Sequence, residues 1–287
     1  MVNELRQDVD LSNIEAELYR LILQEEAVLG EEAKSGGPLW NHLQRTARLA
    51  RELGRAEGLD RQACYLGGLF HDAGKFATFR AGGKTVEEEK SADILLRLGA
   101  DSGLNPCFLL EIEGALRQLY SRDVTPSPLA KVVHDADNFD KLGAVGIANF
   151  FVKCGLRGRG VSLDLLLGLT KELNYARYSE QRFLTEAGRR QARPRAKETI
   201  LFIENFVSAF SRDHGCEIFR ELVDFEGVPL ELISPARCQC AGDFTRSVWG
   251  EAGLKCREVH VEYFCQSCGA DYSYKFCCPV CPEKFTP

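Results

Sequence analysis

Apolar residues recur at the spacing of an α-helix through most of the first 233 residues. Residues at this spacing fall on one helical face, so such segments bury that face by packing on one another. The pattern therefore predicts a mainly α fold, a helical bundle. The predicted helices cover residues 13–29, 39–54, 60–72, 85–98, 106–120, 128–152, 162–174 and 196–212.

The pattern changes abruptly after Pro235. Short aromatic alternations such as HVEYF and DYSYKF follow, separated by cysteine pairs and glycines, and such alternation is typical of β-strands. We therefore predict two domains: a helical domain over residues 1–234 and a small, cysteine-rich β module over residues 235–287.

Composition excludes several classes of protein. A chain of 287 residues that is 45% hydrophobic can bury a large core, and its net charge of −6 disfavours a surface devoted to nucleic acid or anionic membranes. The N-terminus has neither a basic start nor an unbroken apolar run, and no stretch approaches the ~20 apolar residues that cross a bilayer. We expect a cytoplasmic protein that does not enter membranes.

Four residues of metal-ligating types lie within these apolar segments: His42, His71, Asp72 and Asp137. A histidine or carboxylate that is buried alone loses hydration that it cannot replace, so a group of four in one core indicates a cation. The alternative is that the histidines are ordinary core residues and that Asp137 is a helix-packing acid.

The local patterns predict where these side chains point. In PLWNHLQRTARLARELG, His42 shares a face with leucines while arginines populate another face, so the imidazole should point inward. The next segment, DRQACYLGGLFHDAGKF, is apolar nearly all round and should form a central helix ending in His71 and Asp72. Gly67 and Gly68 would let a neighbouring helix approach it closely.

The second acid could be Asp135 or Asp137, because both lie in SPLAKVVHDADNFDKLGAVGIANFF. Asp137 shares a helical face with Val133, Asp140 and Ala144, whereas His134 aligns with a more polar face. We therefore predict that Asp137 points inward and that His134 is exposed.

Two imidazoles and two carboxylates leave water positions open on a divalent ion, and they suit Mn, Fe, Mg, Ni or Zn. Such a metal could activate a bound water and polarise a phosphoryl oxygen, as phosphoester hydrolysis requires. Asp72 could orient the water as well as bind the metal. Lys75 would stand beside the metal, where a substrate phosphate could lie.

The motif HDAGK, with the upstream His42 and the later DADNFDKLGAVGIANFF, resembles the HD-domain superfamily of metal-dependent phosphohydrolases over roughly residues 13–212. The resemblance implies an HD-type all-helical bundle with His42, His71, Asp72 and Asp137 as metal ligands. Two departures are present. No histidine lies between residues 71 and 134, which favours a single metal, and position 138 is asparagine where these relatives often carry arginine.

Arginines are the candidates for substrate binding. Arg45 is near His42, and Arg157 and Arg159 lie in the glycine-rich segment KCGLRGRGVS, whose backbone is free to let two guanidiniums reach an anion. A small, nucleotide-like phosphorylated substrate is the expected partner. The alternative for this segment is a flexible exposed loop. The basic run RRQARPRAK could also bind a polyanion or the phosphates of a nucleotide, and its alternative is a solvated helix end.

Eight of the twelve cysteines crowd into the last fifty residues. The knuckles CQSC (Cys265, Cys268) and CPVC (Cys278, Cys281) have the spacing of a tetrahedral zinc site, and the module resembles a zinc ribbon. The remaining four could close a second site, with His260 as a substitute for one of them. They are Cys238, Cys240, Cys256 and Cys277. An iron–sulfur cluster or free thiols are the alternatives.

The module has no net charge, because residues 235–287 contain six Lys or Arg and six Asp or Glu. The charge therefore does not indicate binding to the phosphate backbone of a nucleic acid. Its tyrosines could contact a protein partner or pack onto helices; these are Tyr263, Tyr272 and Tyr274. The module has too few residues for a conventional hydrophobic core, so we expect zinc to supply much of its folding free energy.

Three hypotheses follow. The first is hydrolysis of a phosphomonoester or phosphodiester by a metal-activated water, with Asp72 and Lys75 as catalytic residues. The second is a non-catalytic scaffold or sensor whose zinc ribbon recruits a protein. The third is a nuclease, in which RRQARPRAK and the ribbon act on a strand.

Overall fold

The computed structural model separates the chain into two compact units. The N-terminal unit comprises residues 1–140 and 183–190, and the C-terminal unit comprises residues 141–182 and 191–287. The predicted division at residue 235 differs from this one, and as a boundary of independent folding it stays a prediction. The residues described are 10–29, 39–80, 87–121, 124–215, 217–238, 240–252 and 257–280.

Helices build the N-terminal unit. They are α1 (Ser12–Leu29), α2 (Leu39–Ala56), α3 (Arg61–Phe70), α4 (Lys75–Arg80), α5 (Glu87–Asp101), α6 (Pro106–Gln118) and α7 (Pro128–Phe139). Local chemistry sets several of their starts. The side chain of Asp60 accepts hydrogen bonds from the backbone N–H groups of Gln62 and Ala63 and caps α3. Asn105 caps α6 and Ser127 caps α7 in the same way.

Helix α3 packs against α2, α5, α6 and α7. A Cβ atom on Gly68 would lie 2.8 Å from Cα of Ala47 on α2, and one on Gly67 would lie 2.8 Å from Cγ2 of Val133 on α7. No side chain fits at such distances. The predicted close approach at these two glycines is confirmed, and it brings α2 and α7 against α3.

The single helix predicted over residues 128–152 is two helices. Helix α7 ends at Phe139, and three residues separate it from α8 (Gly143–Leu156). Gly143 has φ +70°, a backbone conformation that favours glycine. The apolar period continues across this break, which is why it was hidden in the sequence.

The C-terminal unit combines helices with strands. Its further helices are α9 (Leu163–Arg177), α10 (Ser179–Arg182) and the larger part of α11 (Glu186–His214). Helix α11 begins ten residues before the predicted start at 196. The basic run RRQARPRAK therefore lies in the first half of a helix that contains Pro194.

The prediction that residues up to about 233 are almost entirely helical was wrong at its end. Strands β1 (Ile218–Phe225) and β2 (Val228–Pro235) form an antiparallel hairpin. Glu226 and Gly227 join them, both with positive φ, and a turn of that kind matches the twist of paired strands. The Glu-Gly pair between two apolar alternations was the signal for it.

A second antiparallel sheet has the order β3 (Phe244–Ala252), β4 (Arg257–Cys265) and β5 (Asp271–Cys277). Its inner face shares one core with β2, α9 and α11, in which Leu169, Leu232, Val261 and Phe276 are buried. The expectation of a module without an ordinary core was therefore wrong, because helices of the same unit cover the sheet.

The predicted fold class is confirmed: the chain is mainly α, with small antiparallel sheets near its C-terminal end. The tyrosines of the sheet pack inward. Tyr263 is 2% exposed and hydrogen-bonds Ser234, and the hydroxyl of Tyr274 lies 3.2 Å from that of Thr170 on α9. No helix among the described residues is both long enough and apolar enough to span a membrane.

Candidate metal centre

Two histidines face each other in the N-terminal unit. His42 lies on the inward face of α2, and His71 directly follows α3 as its C-terminal cap. Their Nε2 atoms are 3.1 Å apart. His71 is 2% exposed, and the side chain of His42 is 19% exposed, so the pair is open to solvent on the His42 side.

The outer nitrogen of each ring fixes its tautomer. Nδ1 of His71 lies 2.8 Å from the carbonyl oxygen of Gly68, and Nδ1 of His42 lies 2.8 Å from Oδ2 of Asp140. Both partners are acceptors, so each neutral ring carries its proton on Nδ1 and presents a lone pair on Nε2. The two lone pairs therefore point at each other.

Carboxylate oxygens join the two imidazole nitrogens. Oδ1 of Asp137 lies 3.4 Å from Nε2 of His42 and 3.6 Å from Nε2 of His71. Asp72 lies at 3.6 and 3.5 Å from the same two nitrogens. Acceptor atoms that converge in this way from four side chains repel one another unless a cation lies among them. The donor set thus fits a divalent ion with nitrogen and oxygen ligands.

The same convergence shifts the pKa values of these residues, because a bound proton can also relieve the repulsion between their acceptor atoms. Burial alone would lower the pKa of His42, but hydrogen bonds to Asp137 and Asp140 outweigh burial and raise it to about 9. The pKa of His71 is also raised, against burial, by Asp72 and Asp137. Burial would raise the pKa of Asp72, but the charges of His71 and Lys75 hold it below its usual range.

Asp140 is a residue of the site that the sequence did not single out. Besides His42, its carboxylate accepts two hydrogen bonds from Arg45, at 2.8 Å from Nε and 2.7 Å from Nη2. These bonds and that to His42 outweigh burial and lower the pKa of Asp140. Such a partner orients a metal-ligating imidazole. Its signal was the shared helical face of Asp137 and Asp140.

The turn that carries His71 and Asp72 is held by α5. The hydroxyl of Ser91 donates to the carbonyl oxygen of His71 at 3.0 Å and accepts from the backbone N–H of Gly74 at 2.9 Å. Ser91 is fully buried. Its contacts fix the backbone of this turn, and nothing in the local sequence pointed to them.

The two acids and the histidine of α7 make separate contacts. Asp137 joins the histidines, whereas Asp135 is fully buried and accepts hydrogen bonds from the backbone N–H groups of Leu184 and Thr185. His134 is not exposed as predicted. Its side chain is 17% exposed, because the ring of Tyr120 lies 5.4 Å from it.

The predicted substrate contacts lie in different places. Nζ of Lys75 is 2.9 Å from Oδ2 of Asp72, at the centre itself. The guanidinium of Arg45 is engaged by Asp140. Arg157 and Arg159 are exposed in the C-terminal unit, in the loop that follows α8. Substrate binding by these residues stays a prediction.

Four cysteines of the C-terminal unit form a second cluster, and the set differs from both predicted groups. It joins one loop to one knuckle: Cys238, Cys240, Cys265 and Cys268, whose sulfurs lie within 4.8 Å of one another. Cys277 is disulfide-bonded, and its role as a thiolate ligand stays a prediction. The sulfur of Cys278 contacts the carbonyl oxygen of Val280. Cys256 and Cys281 lie outside the described residues.

The backbone brings this loop and this knuckle together. A Cβ atom on Gly242 would lie within 3.0 Å of the Cys265 sulfur, so only glycine allows the approach. Gly269, with φ +73°, closes the knuckle. Backbone N–H groups of Cys268 and Ser267 bond the Cys265 sulfur and lower its pKa to about 6. These features suit a metal bound by thiolates.

Comparison with family models matches residues 39–142 to the HD domain. The matched segment begins with α2 and ends just after α7. It contains the two facing histidines, both converging carboxylates and Asp140. A comparison with curated proteins gives no match.

Solved structures resemble the chain over most of its length. YpgQ from Bacillus subtilis is 22% identical, with a TM-score of 0.50 over 69% of this chain and 97% of its own. A Lactobacillus plantarum protein is 18% identical, with a TM-score of 0.50 over 74% and 100%. A predicted HD superfamily hydrolase from an uncultured Thermotogales bacterium is 22% identical, with a TM-score of 0.49 over 68% and 92%.

These likenesses concern the fold. The family match covers the segment in which the His, His-Asp, Asp order occurs. The family match alone identifies residues 39–142 of this chain as an HD domain.

Proposed function

We propose that the HD domain hydrolyses a phosphomonoester or phosphodiester, with a nucleotide-like substrate. The observation that carries the proposal is the convergence of two imidazole lone pairs and two carboxylates on one point, with outer partners that fix their orientation. A divalent ion bound there supplies Lewis-acid and water-activating chemistry. His42, His71, Asp72 and Asp137 would hold it.

The residues around this centre support phosphate chemistry. Lys75 brings a positive charge to within 2.9 Å of Asp72, and the charge of that carboxylate raises the pKa of the lysine. Lys75 therefore stays protonated at neutral pH and can stabilise negative charge on a phosphoryl group. Asp72 stays ionised, so it can accept a hydrogen bond from an attacking water.

Isosteric variants test the proposal. Asp137→Asn keeps the shape of the side chain and removes its charge, so it should lose both the bound divalent ion and turnover. Asp93→Asn is the control, since Asp93 is an exposed acid on α5. We would measure metal content after dialysis against Mn²⁺, then the rate on a panel of nucleotides and other phosphoesters. Equal metal content and equal rates in the two variants would refute the proposal.

The outcome also separates the competing hypotheses. Metal binding in the wild type with no turnover on any phosphoester would favour the scaffold or sensor. Turnover confined to oligonucleotides, with strong salt dependence, would favour the nuclease.

We also propose that the C-terminal cysteine cluster binds zinc as a structural ion. The contact distances of 3.6 Å between the sulfurs of Cys238 and Cys268, and 3.5 Å between those of Cys240 and Cys265, support it. Tetrahedral zinc with Zn–S bonds near 2.3 Å requires about 3.8 Å between sulfurs. Recruitment of a protein partner by this region stays a prediction.

Cys265→Ser tests the zinc site against Cys107→Ser, which changes an exposed cysteine of the other unit. The first should lose one zinc equivalent by elemental analysis, and the second should lose none. Equal zinc content in both variants would contradict the site.

A further inference from the structure

Every residue that faces the candidate metal centre also contacts an outer partner. The two histidines and Asp137 do so through a second polar atom, whereas Oδ2 of Asp72 lies near both His42 and its outer partner. The pairs are His42 with Asp140, His71 with the Gly68 carbonyl, Asp72 with Lys75, and Asp137 with Tyr120. Outer partners of this kind fix which atom a ligand presents and how strongly it binds.

The outer partner of Asp137 comes from a loop. Tyr120 lies in the loop between α6 and α7, and its hydroxyl donates a hydrogen bond to Oδ2 of Asp137. Oδ1 of the same carboxylate faces the two histidines. The phenol thus engages the other oxygen of the carboxylate, and not the one nearest to the two histidines.

The loop holds Tyr120 in this place. Its ends are tied because the side-chain oxygen of Gln118 accepts a hydrogen bond from the backbone N–H of Ser127 at 2.7 Å. Tyr120 has φ +60°, which few residues with a side chain adopt. This conformation, the hydrogen bond and the contact of its ring with His134 all place the hydroxyl against Asp137.

We propose that Tyr120 is a positioning residue of the metal centre, which holds Asp137 so that Oδ1 alone turns towards a bound ion. The inference rests on the proposed function, because it assumes a divalent ion among the four residues. A carboxylate that binds through one oxygen occupies one coordination position and leaves others open for water or substrate. Free rotation of Asp137 would lose that preorganisation.

Tyr120→Phe tests the proposal, since it removes the hydroxyl and keeps the ring. We would titrate Mn²⁺ into the full chain by calorimetry, after dialysis against a chelator. The dissociation constant of Mn²⁺ should rise about 10- to 100-fold, the usual effect of losing such an outer partner. The melting temperature of the metal-free variant, measured in parallel, should stay near that of the wild type.

Tyr65→Phe is the matched control. The hydroxyl of Tyr65 also bonds a carboxylate, that of Glu15, in the same unit but outside the site. Its loss should leave the Mn²⁺ dissociation constant within twofold of the wild type. An equal loss of affinity in both variants would overturn the specific role of Tyr120.

Three further outcomes separate this inference from the proposed function. If the wild type binds Mn²⁺ and Tyr120→Phe binds it equally well, the inference fails and the function stands. A raised KM for a phosphoester with unchanged metal affinity would mean that Tyr120 contacts substrate, which also overturns a positioning role. If the wild type has no Mn²⁺ site that Asp137→Asn removes, both fail.

Discussion

Protonation of His42 should make the stability of the metal-free protein depend on pH. The pKa of this residue is raised from 6.5 to about 9 in the folded chain. A group with a raised folded pKa stabilises the fold fully below its unfolded pKa, and that stabilisation is lost as pH rises through the folded pKa. The free energy of unfolding should therefore fall between about pH 6.5 and pH 9.

The size of the effect follows from the shift. About 2.5 pH units at 1.36 kcal/mol each give roughly 3 kcal/mol at most. A bound divalent ion takes the Nε2 lone pair that the proton would use, so the loaded protein should lack this slope. Because metal and proton compete, the apparent metal affinity should rise by up to about tenfold per pH unit over the same window.

Urea unfolding at several pH values between 6 and 9, with and without Mn²⁺, would measure both effects. The chain has two tryptophans, Trp40 on α2 and Trp249 on β3. In a Trp249→Phe background the fluorescence reports on the N-terminal unit alone. His42→Gln should reduce the slope, leaving the part that the raised pKa of His71 contributes, and His134→Gln should keep it whole. A metal-free stability that is constant or rises over this range would mean that burial outweighs the carboxylates, and the reasoning would fail.

Three further substitutions test individual contacts. Asp140→Ala should weaken Mn²⁺ binding about 10- to 100-fold in calorimetry, because the His42 ring loses its orienting acceptor; an unchanged affinity would contradict this role. Asp135→Ala should lower the free energy of unfolding, measured by urea titration, by about 3 kcal/mol, because it leaves N–H donors without their acceptor. The control Asp93→Ala should change the free energy of unfolding by about 0.5 kcal/mol or less in the same titration. Gly68→Ala should cost about 1–3 kcal/mol, since its Cβ would meet the backbone of α2 at 2.8 Å. Gly114→Ala, whose Cβ would meet nothing within 4 Å, should not destabilise; equal losses at the two glycines would refute the packing argument.

The helices around the centre could be predicted because their apolar period and their buried faces coincide. His42 and Asp137 each lie on such a face, and His71 ends a segment that is apolar nearly all round. Period therefore indicated that these three side chains point inward, but it missed Asp135, which is fully buried. Their roles as metal ligands stay predictions.

The outer partners could not be predicted in this way. Tyr120 reaches Asp137 through a left-handed residue in a loop, and Ser91 reaches the turn after His71 from a separate helix. Neither contact leaves a periodic signal, because each depends on how elements far apart in sequence pack together. The break at Gly143 was missed for a related reason: one positive φ interrupts a helix without changing its apolar pattern.

The cysteines show a limit of spacing arguments. Two C-x-x-C knuckles suggested a site of their own, but the tertiary fold brings the 265–268 knuckle against the C-x-C loop at 238–240. Gly242 is the residue that makes this approach feasible. Sequence spacing predicts which sulfurs converge within a turn, whereas the choice of a second pair depends on strand register and on what the loops between strands allow.

Two neighbouring acids of helix α7, Asp135 and Asp137, make contacts on different sides of the helix. Asp135 and Asp137 are two residues apart, which places them about 200° apart around a helix and hence on nearly opposite faces. Asp135 binds the backbone at Leu184 and Thr185, and Asp137 faces the histidines. The two acids are therefore not interchangeable. Loss of the first should act on folding, and loss of the second on metal binding in a chain that still folds.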